Sequence, residues 1–312
     1  MSLIFVGYVI YSSRQQAKYQ EYLAEVATEE AAAAEAAGPE AEKTPSIEQA
    51  DTTAAVDRDV EIFGASLAAA RDRAAETVTM SNDYLTVEFS TAGASMHKVT
   101  LAEYTKYAPR EERNEKVVLY EPAPSHMGLE FYIRNGLNNV PVNTSEYVFT
   151  NEGVTRGDGF QKLTMRLDVA PESYLLYEYV LYDEKVPSRD YLLDFDIKLV
   201  NMAQLMANQS TVNLLWTART YQNERGYQNE NMYTTVSYRF PGEESIESLS
   251  TGDGEKQETV QNAVNWVAFK QQFFSEALIA PANFSYADVM YVTEAEDSGY
   301  ILSLIHISEP TR

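Results

Sequence analysis

Apolar residues recur at every second position in one stretch of this chain after another. In residues 84–90, Leu85, Val87 and Phe89 alternate with Thr86 and Glu88. Residues 162–170 repeat the pattern with Leu163, Met165, Leu167 and Val169. Residues 191–200 set Tyr191, Leu193, Phe195, Ile197 and Leu199 against Asp194, Asp196 and Lys198. Successive side chains of an extended chain point to opposite faces, so a period of two means a strand buried on one face. The same reading predicts strands at 95–101, 116–120, 129–133, 147–150, 174–181, 213–217, 234–240 and 287–293. Turn chemistry separates them at Ala92-Gly93, Asn135-Gly136, Gly157-Asp158-Gly159, Pro187-Ser188, Pro241-Gly242 and Gly252-Asp253-Gly254. Many such strands without helical interludes predict an all-β fold, a large antiparallel β-sandwich at residues 76–301. No fixed-period repeat points to a propeller or solenoid.

Residues 266–280, WVAFKQQFFSEALIA, are the densest apolar stretch. Two short apolar runs flank the polar step Lys270-Gln271-Gln272, which predicts a buried strand, a tight corner and a second buried strand. Aromatic side chains bury the most area per residue, so this hairpin is expected at the centre of the core.

The ends of the chain read differently. Leu3 to Tyr11, LIFVGYVIY, is shorter than the ~20 residues of a membrane-spanning helix. It lacks the basic flank and the small-residue cleavage site of a signal peptide, so residues 1–13 are expected to be part of an uncleaved transmembrane signal anchor. Residues 14–75 form an acidic spacer rich in Ala and Glu, helix-prone up to Gly38-Pro39 and with little to bury. Within it Val56, Val60, Phe63 and Leu67 fall at helical spacing, predicting a short amphipathic helix. Residues 302–312, LSLIHISEPTR, match residue for residue the translation of a transposase adapter used in sequencing libraries. They are expected to be an adapter-derived artefact and are set aside from the fold reading.

Charge narrows the function classes. Against 24 Lys and Arg stand 47 Asp and Glu, a formal net charge of −23. Such a surface opposes nucleic acid, which demands phosphate neutralisation, and peripheral docking on anionic lipid. With no Cys there is neither a disulfide framework nor a thiolate nucleophile. Outside the tail only His97 and His126 remain, far apart in sequence and without a ligand cluster at metal spacing. Asp194 and Asp196 lie two apart on one strand face, where a solvated surface, which the surrounding alternation already explains, accounts for them better than an acid/base pair does. The sequons at Asn143, Asn208 and Asn283 are short enough to recur by chance. No catalytic, cofactor-binding or metal-binding residue is assigned, no cofactor is expected, and the chain is read as not an enzyme.

Two strings carry a resemblance. After an apolar strand ending in Arg219 come Arg225, Gly226, Tyr227, Glu230 and Asn231, read as a long exposed loop at 219–233. An acidic stretch follows, then WVAFKQQFF, an apolar strand and Ser298-Gly299-Tyr300-Ile301. In this order the strings resemble the periplasmic domain of YidC-type membrane protein insertases, in particular the Bacteroidetes branch. The resemblance implies a β-supersandwich similar to galactose mutarotase-like folds, held in the periplasm by an anchor in the bacterial inner membrane. It further implies nascent inner-membrane proteins and the Sec translocon as partners, and a lipid bilayer around the anchor. The family's insertase core, a bundle of transmembrane helices, has no counterpart in these 312 residues. The alternatives are a membrane-tethered periplasmic binding or scaffold domain, and a mutarotase-like sugar-binding protein. Mutarotase chemistry requires His and Glu groups converging on a sugar.

Overall fold

In a computed structural model, residues 59–107, 114–120, 126–183, 189–206, 209, 211–296 and 298–309 are described. The expected anchor, the spacer before residue 59, the Pro187-Ser188 turn and Asn208 lie outside them. Among the described residues eighteen strands form four sheets, and every named pairing is antiparallel. The first sheet runs β1 (Thr77–Ser81), β2 (Leu85–Ser90), β3 (Ser95–Thr105) and β4 (Lys116–Tyr120). The second holds β7 (Thr150–Gly157), β8 (Phe160–Ala170), β9 (Ser173–Tyr182) and β10 (Leu193–Val200) side by side. The third has six strands, in the order β14 (Glu255–Val260), β17 (Tyr286–Thr293), β18 (Tyr300–Glu309), β11 (Val212–Tyr221), β5 (His126–Asn135) and β6 (Asn138–Asn143). In the fourth the order is β13 (Glu247–Ser248), β12 (Thr235–Arg239), β15 (Val264–Lys270) and β16 (Ser275–Phe284).

The all-β antiparallel fold is the one the alternation predicts, and β8 shows why. Leu163, Met165, Leu167 and Val169 are buried while the residues between them keep partial exposure. Where the structure departs from the pattern, the cause is local. Residues 147–149 are not part of a named strand, and Thr150 opens β7: Tyr147 N closes the 3₁₀ turn at Thr144–Glu146, and Val148 N donates to Ala70 O at 2.9 Å. β1, β6, β13 and β14 carry weak alternation because each lies at a sheet edge with much of its surface exposed. The hairpin at 266–280 forms as β15 and β16, but its second strand is buried on one face only. Ile279 is 56% exposed, and Phe273 at the corner 67%. Residues 302–309 were set aside from the fold reading, yet their backbone forms β18 and bonds to β11 and β17.

The expected amphipathic helix is interrupted. Gly64, at φ 86°, ends the first helical segment, and α1 (Ala65–Arg71) starts anew. Leu67 is fully buried, Phe63 packs partly against the core and Val60 stays exposed. Arg71 holds α1 in place: it pairs with Glu146 at 2.5 Å and Asp59 at 3.4 Å, and lies 4.2 Å from the centre of the Phe63 ring.

Rings from three parts of the fold make a continuous aromatic ladder. Phe89 of β2 packs on Tyr179 of β9 at 4.7 Å, and Tyr179 stacks on Phe195 of β10 at 4.5 Å, 6° from parallel. Phe195 meets Tyr177 at 5.1 Å, which meets Phe149 at 4.8 Å. Both buried phenols have partners: Tyr179 Oη donates to Ala94 O at 2.6 Å, and Tyr177 Oη lies 2.9 Å from Thr144 Oγ1. The same turn needs Gly93. Its φ is +68°, and a Cβ there would approach Ser145 Cα to 3.1 Å. Between the third and fourth sheets, Trp216 of β11 meets Phe269 of β15 edge-on at 5.0 Å. Replacing Phe89 by Ala, which opens a cavity in the ladder, is expected to cost about 3–5 kcal/mol in urea unfolding. Tyr179→Phe, which keeps the ring and removes the bond to Ala94, is expected to cost about 1 kcal/mol.

Candidate functional site

The separated strings 219–233, 266–274 and 298–301 converge at one end of β11. Arg219 Nε donates to Glu294 Oε1 at 3.1 Å, and its guanidinium carbon sits 4.8 Å from the centre of the Tyr300 ring. Tyr300 in turn packs on Tyr221 at 4.7 Å. Gln222 N donates to Gly299 O at 2.9 Å.

Gln271, from the polar corner between β15 and β16, is the joint. Its side chain donates to Tyr221 O at 3.0 Å and accepts from Asn223 Nδ2 at 3.1 Å, while its own amide donates to Phe274 O. Asn223 O accepts from Tyr107 N, tying in the segment after β3. Glu230 lies in the five-residue helix α2 (Tyr227–Asn231) and is 1% exposed. It accepts from the backbone amides of Asn223 and Glu224 at 3.2 and 3.1 Å. Burial pushes its carboxyl above the ordinary range, and those two amides pull the other way.

The expected long exposed loop at 219–233 is therefore a correction. β11 continues to Tyr221, and Asn223, Tyr227, Glu230 and Asn231 are all buried. Their polarity answers backbone groups and not water, because a chain reversal inside a domain leaves amides that need acceptors. A Glu seven residues after the amide it caps gives no periodic signal, so the pattern was not legible beforehand.

Beside this knot lies a cleft of about 540 Å³ between the β3–β4 hairpin and the end of β11. Lys98, Thr100, Lys106 and Lys116 line one side, with Tyr221 and Asn223 opposite. Sequence reasoning did not single out these lysines, since they are spread over residues that only strand pairing brings together. The groups weighed from sequence lie elsewhere. His97 is on β3, and β5 begins at His126. Asp194 accepts from Tyr182 Oη at 2.6 Å and Arg189 Nη1 at 2.9 Å, which fixes it as a structural partner. Asn143 caps the 3₁₀ turn through Ser145 N. Among the described residues no group of three His, Cys, Asp or Glu could hold a metal ion, and no helix is long and apolar enough to cross a membrane. The arrangement can position and bind.

Comparison with known proteins places these features. The sequence profile described as the YidC periplasmic domain matches residues 77–308. The Membrane protein insertase YidC of Bacteroides fragilis is 29% identical over 224 residues, which are 72% of this chain and 33% of that protein. That of Porphyromonas gingivalis is 29% identical over 236 residues, 75% of this chain and 35% of that protein. The chain thus spans about a third of the length of the curated relatives it matches. Among solved structures, a galactose mutarotase-like protein from Lactobacillus casei covers 75% of this chain and 89% of its own, at a TM-score of 0.46 and 12% identity.

Two measurements check the site and the hairpin that carries Gln271. Gln271→Ala removes one partner from each of Asn223 Nδ2 and Tyr221 O, leaving them their long 3.5 Å contact with each other, and is expected to cost about 2 kcal/mol, with faster amide exchange at Asn223. Glu276 pairs with Phe269 across β15–β16. Although the residue as a whole keeps some exposure, desolvation of its carboxyl pushes the pKa from 4.5 up to about 8. A value raised on folding means the folded state holds the proton more tightly. Its contribution to stability is then complete below about pH 4.5 and is lost as pH rises through about 8. Glu276→Gln is expected to flatten that decline in thermal melts recorded across the range.

Proposed function

The chain belongs to the YidC periplasmic-domain family, and we propose on that footing that it is the periplasmic domain of a membrane protein insertase. The observation that carries the reading is the match over residues 77–308, together with relatives named as insertases that extend well beyond the matched region. The domain has a rigid ladder of packed rings and a tightly bonded loop knot, features of a platform that presents a surface. Insertion itself, on this reading, resides in the remainder of the relatives' length. The domain stands in the periplasm, tethered at the bacterial inner membrane, and serves nascent inner-membrane proteins, alone or beside the Sec translocon. Its own role is not that of an enzyme.

Reading the native gene through the codon for Ile301 tests this. The expected result is a continuation into several apolar segments of ~20 residues each. In cells depleted of their insertase, that full gene is expected to restore growth, whereas residues 1–301 alone are not. A reading frame that closes soon after Ile301, or rescue by residues 1–301 alone, would overturn the proposal and favour a tethered binding domain.

A further inference from the structure

The cleft beside the polar knot is a place where the charge of the molecule reverses. The whole chain carries −23, yet three lysines and one acid, Glu115, line the cleft, a local balance of +2 (three minus one). The fold brings the three together: Lys98 lies on β3, Lys106 just after it, and Lys116 opens β4 across the hairpin. Lys106 pairs with Glu115, and Lys116 Nζ donates to Ala102 O at 2.5 Å, so both stems are held in place. Lys98 makes no ion pair within 4.0 Å among the described residues, although Glu88 sits directly across from it in the β2–β3 register. Three ammonium groups against the one carboxylate of Glu115 leave the cleft lining with an excess of positive charge, which favours an anionic ligand.

We propose that this cleft binds a phosphate ester. Lysines act as compact point charges with freely turning donors, which suits a tetrahedral oxyanion; a planar carboxylate is better met by the fork of an arginine. Thr100 and Tyr221, both hydroxyl-bearing, also line the cleft. At about 540 Å³ the space exceeds a bare phosphate and admits a small organic group, which Val118 and the Tyr221 ring would flank. Glycerol phosphate has that shape and charge, both as a free ester and as the headgroup of a phospholipid. The inference rests on the cleft alone and stands or falls apart from the insertion reading.

The test is a titration of the full chain with glycerol 3-phosphate at low ionic strength, followed by amide chemical shifts. Saturable shifts at Thr100 and Asn223, weakened as salt is raised, are expected. The K98Q/K116Q variant is expected to lose about tenfold or more in affinity, while K98R/K116R, which keeps the charges, binds as the unaltered chain does. A thermal melt of each variant separates lost binding from lost folding. Vesicles of phosphatidylcholine with and without phosphatidylglycerol supply the second arm. Co-sedimentation that needs the anionic lipid and Lys98 identifies a headgroup as the source, and binding of the soluble ester alone identifies a free ester. The proposal is overturned by an absence of shifts at Thr100 and Asn223, or by binding that a folded K98Q/K116Q variant retains undiminished.

Discussion

Two buried phenol groups constrain much of this fold. A tyrosine hydroxyl taken out of water must find a partner, and Tyr177 and Tyr179 sit side by side on β9 with both rings inside the ladder. Their partners come from outside their own sheet: Thr144 in the 3₁₀ turn and Ala94 in the turn after β2. Satisfying the two hydroxyls therefore fixes where two connections lie. Burial raises the pKa of Tyr177, so its hydroxyl keeps its proton across the physiological range. Ala94 adopts φ 48°, a conformation that L residues seldom take, next to Gly93 with its own positive φ. The strain of that turn sits where the aromatic ladder fixes the chain on both sides.

Buried carboxylates are handled in two distinct ways. Glu178 on β9 lies between Lys198 at 2.5 Å and Lys162 at 3.1 Å, and those ammonium groups hold its carboxyl below the ordinary range. Among the described residues Glu230 makes no ion pair and relies on backbone amides, so burial wins and its carboxyl moves upward. The first arrangement ties three neighbouring strands together by their side chains. The second organises a chain reversal, and it is this one that lies next to the lysine-lined cleft.

Much of the strand inventory was legible because one-sided burial imposes a period of two, as along β2 and β8. Legibility failed where that condition failed. β14, with residues Glu255 to Val260, is exposed along most of its length and so carries no alternation. Tyr147 and Phe149 are buried as fully as strand residues but serve a crossing between helix and sheet. The string at 266–280 was recognisable, while the outward turn of Phe273 and Ile279 was not, because apolarity records composition and not direction. Least legible was the cleft. Lys98 and Asn223 are 125 residues apart, and only the pairing of β3 with β4 and the bond from Tyr107 to Asn223 bring their neighbourhoods together.

The order of strands in the six-stranded sheet sets a timetable for synthesis. β11 lies between β5 and β18, and its residue Tyr221 is matched with Tyr300, 79 residues later. On a ribosome adding about 5–20 residues per second, that edge of β11 waits about 4–16 s for its neighbour. During that interval an apolar strand bearing Leu214 and Trp216 presents unpaired amides and carbonyls to whatever chain is nearby. Chaperones that cover nascent segments would find their target here, in the middle of the finished sheet.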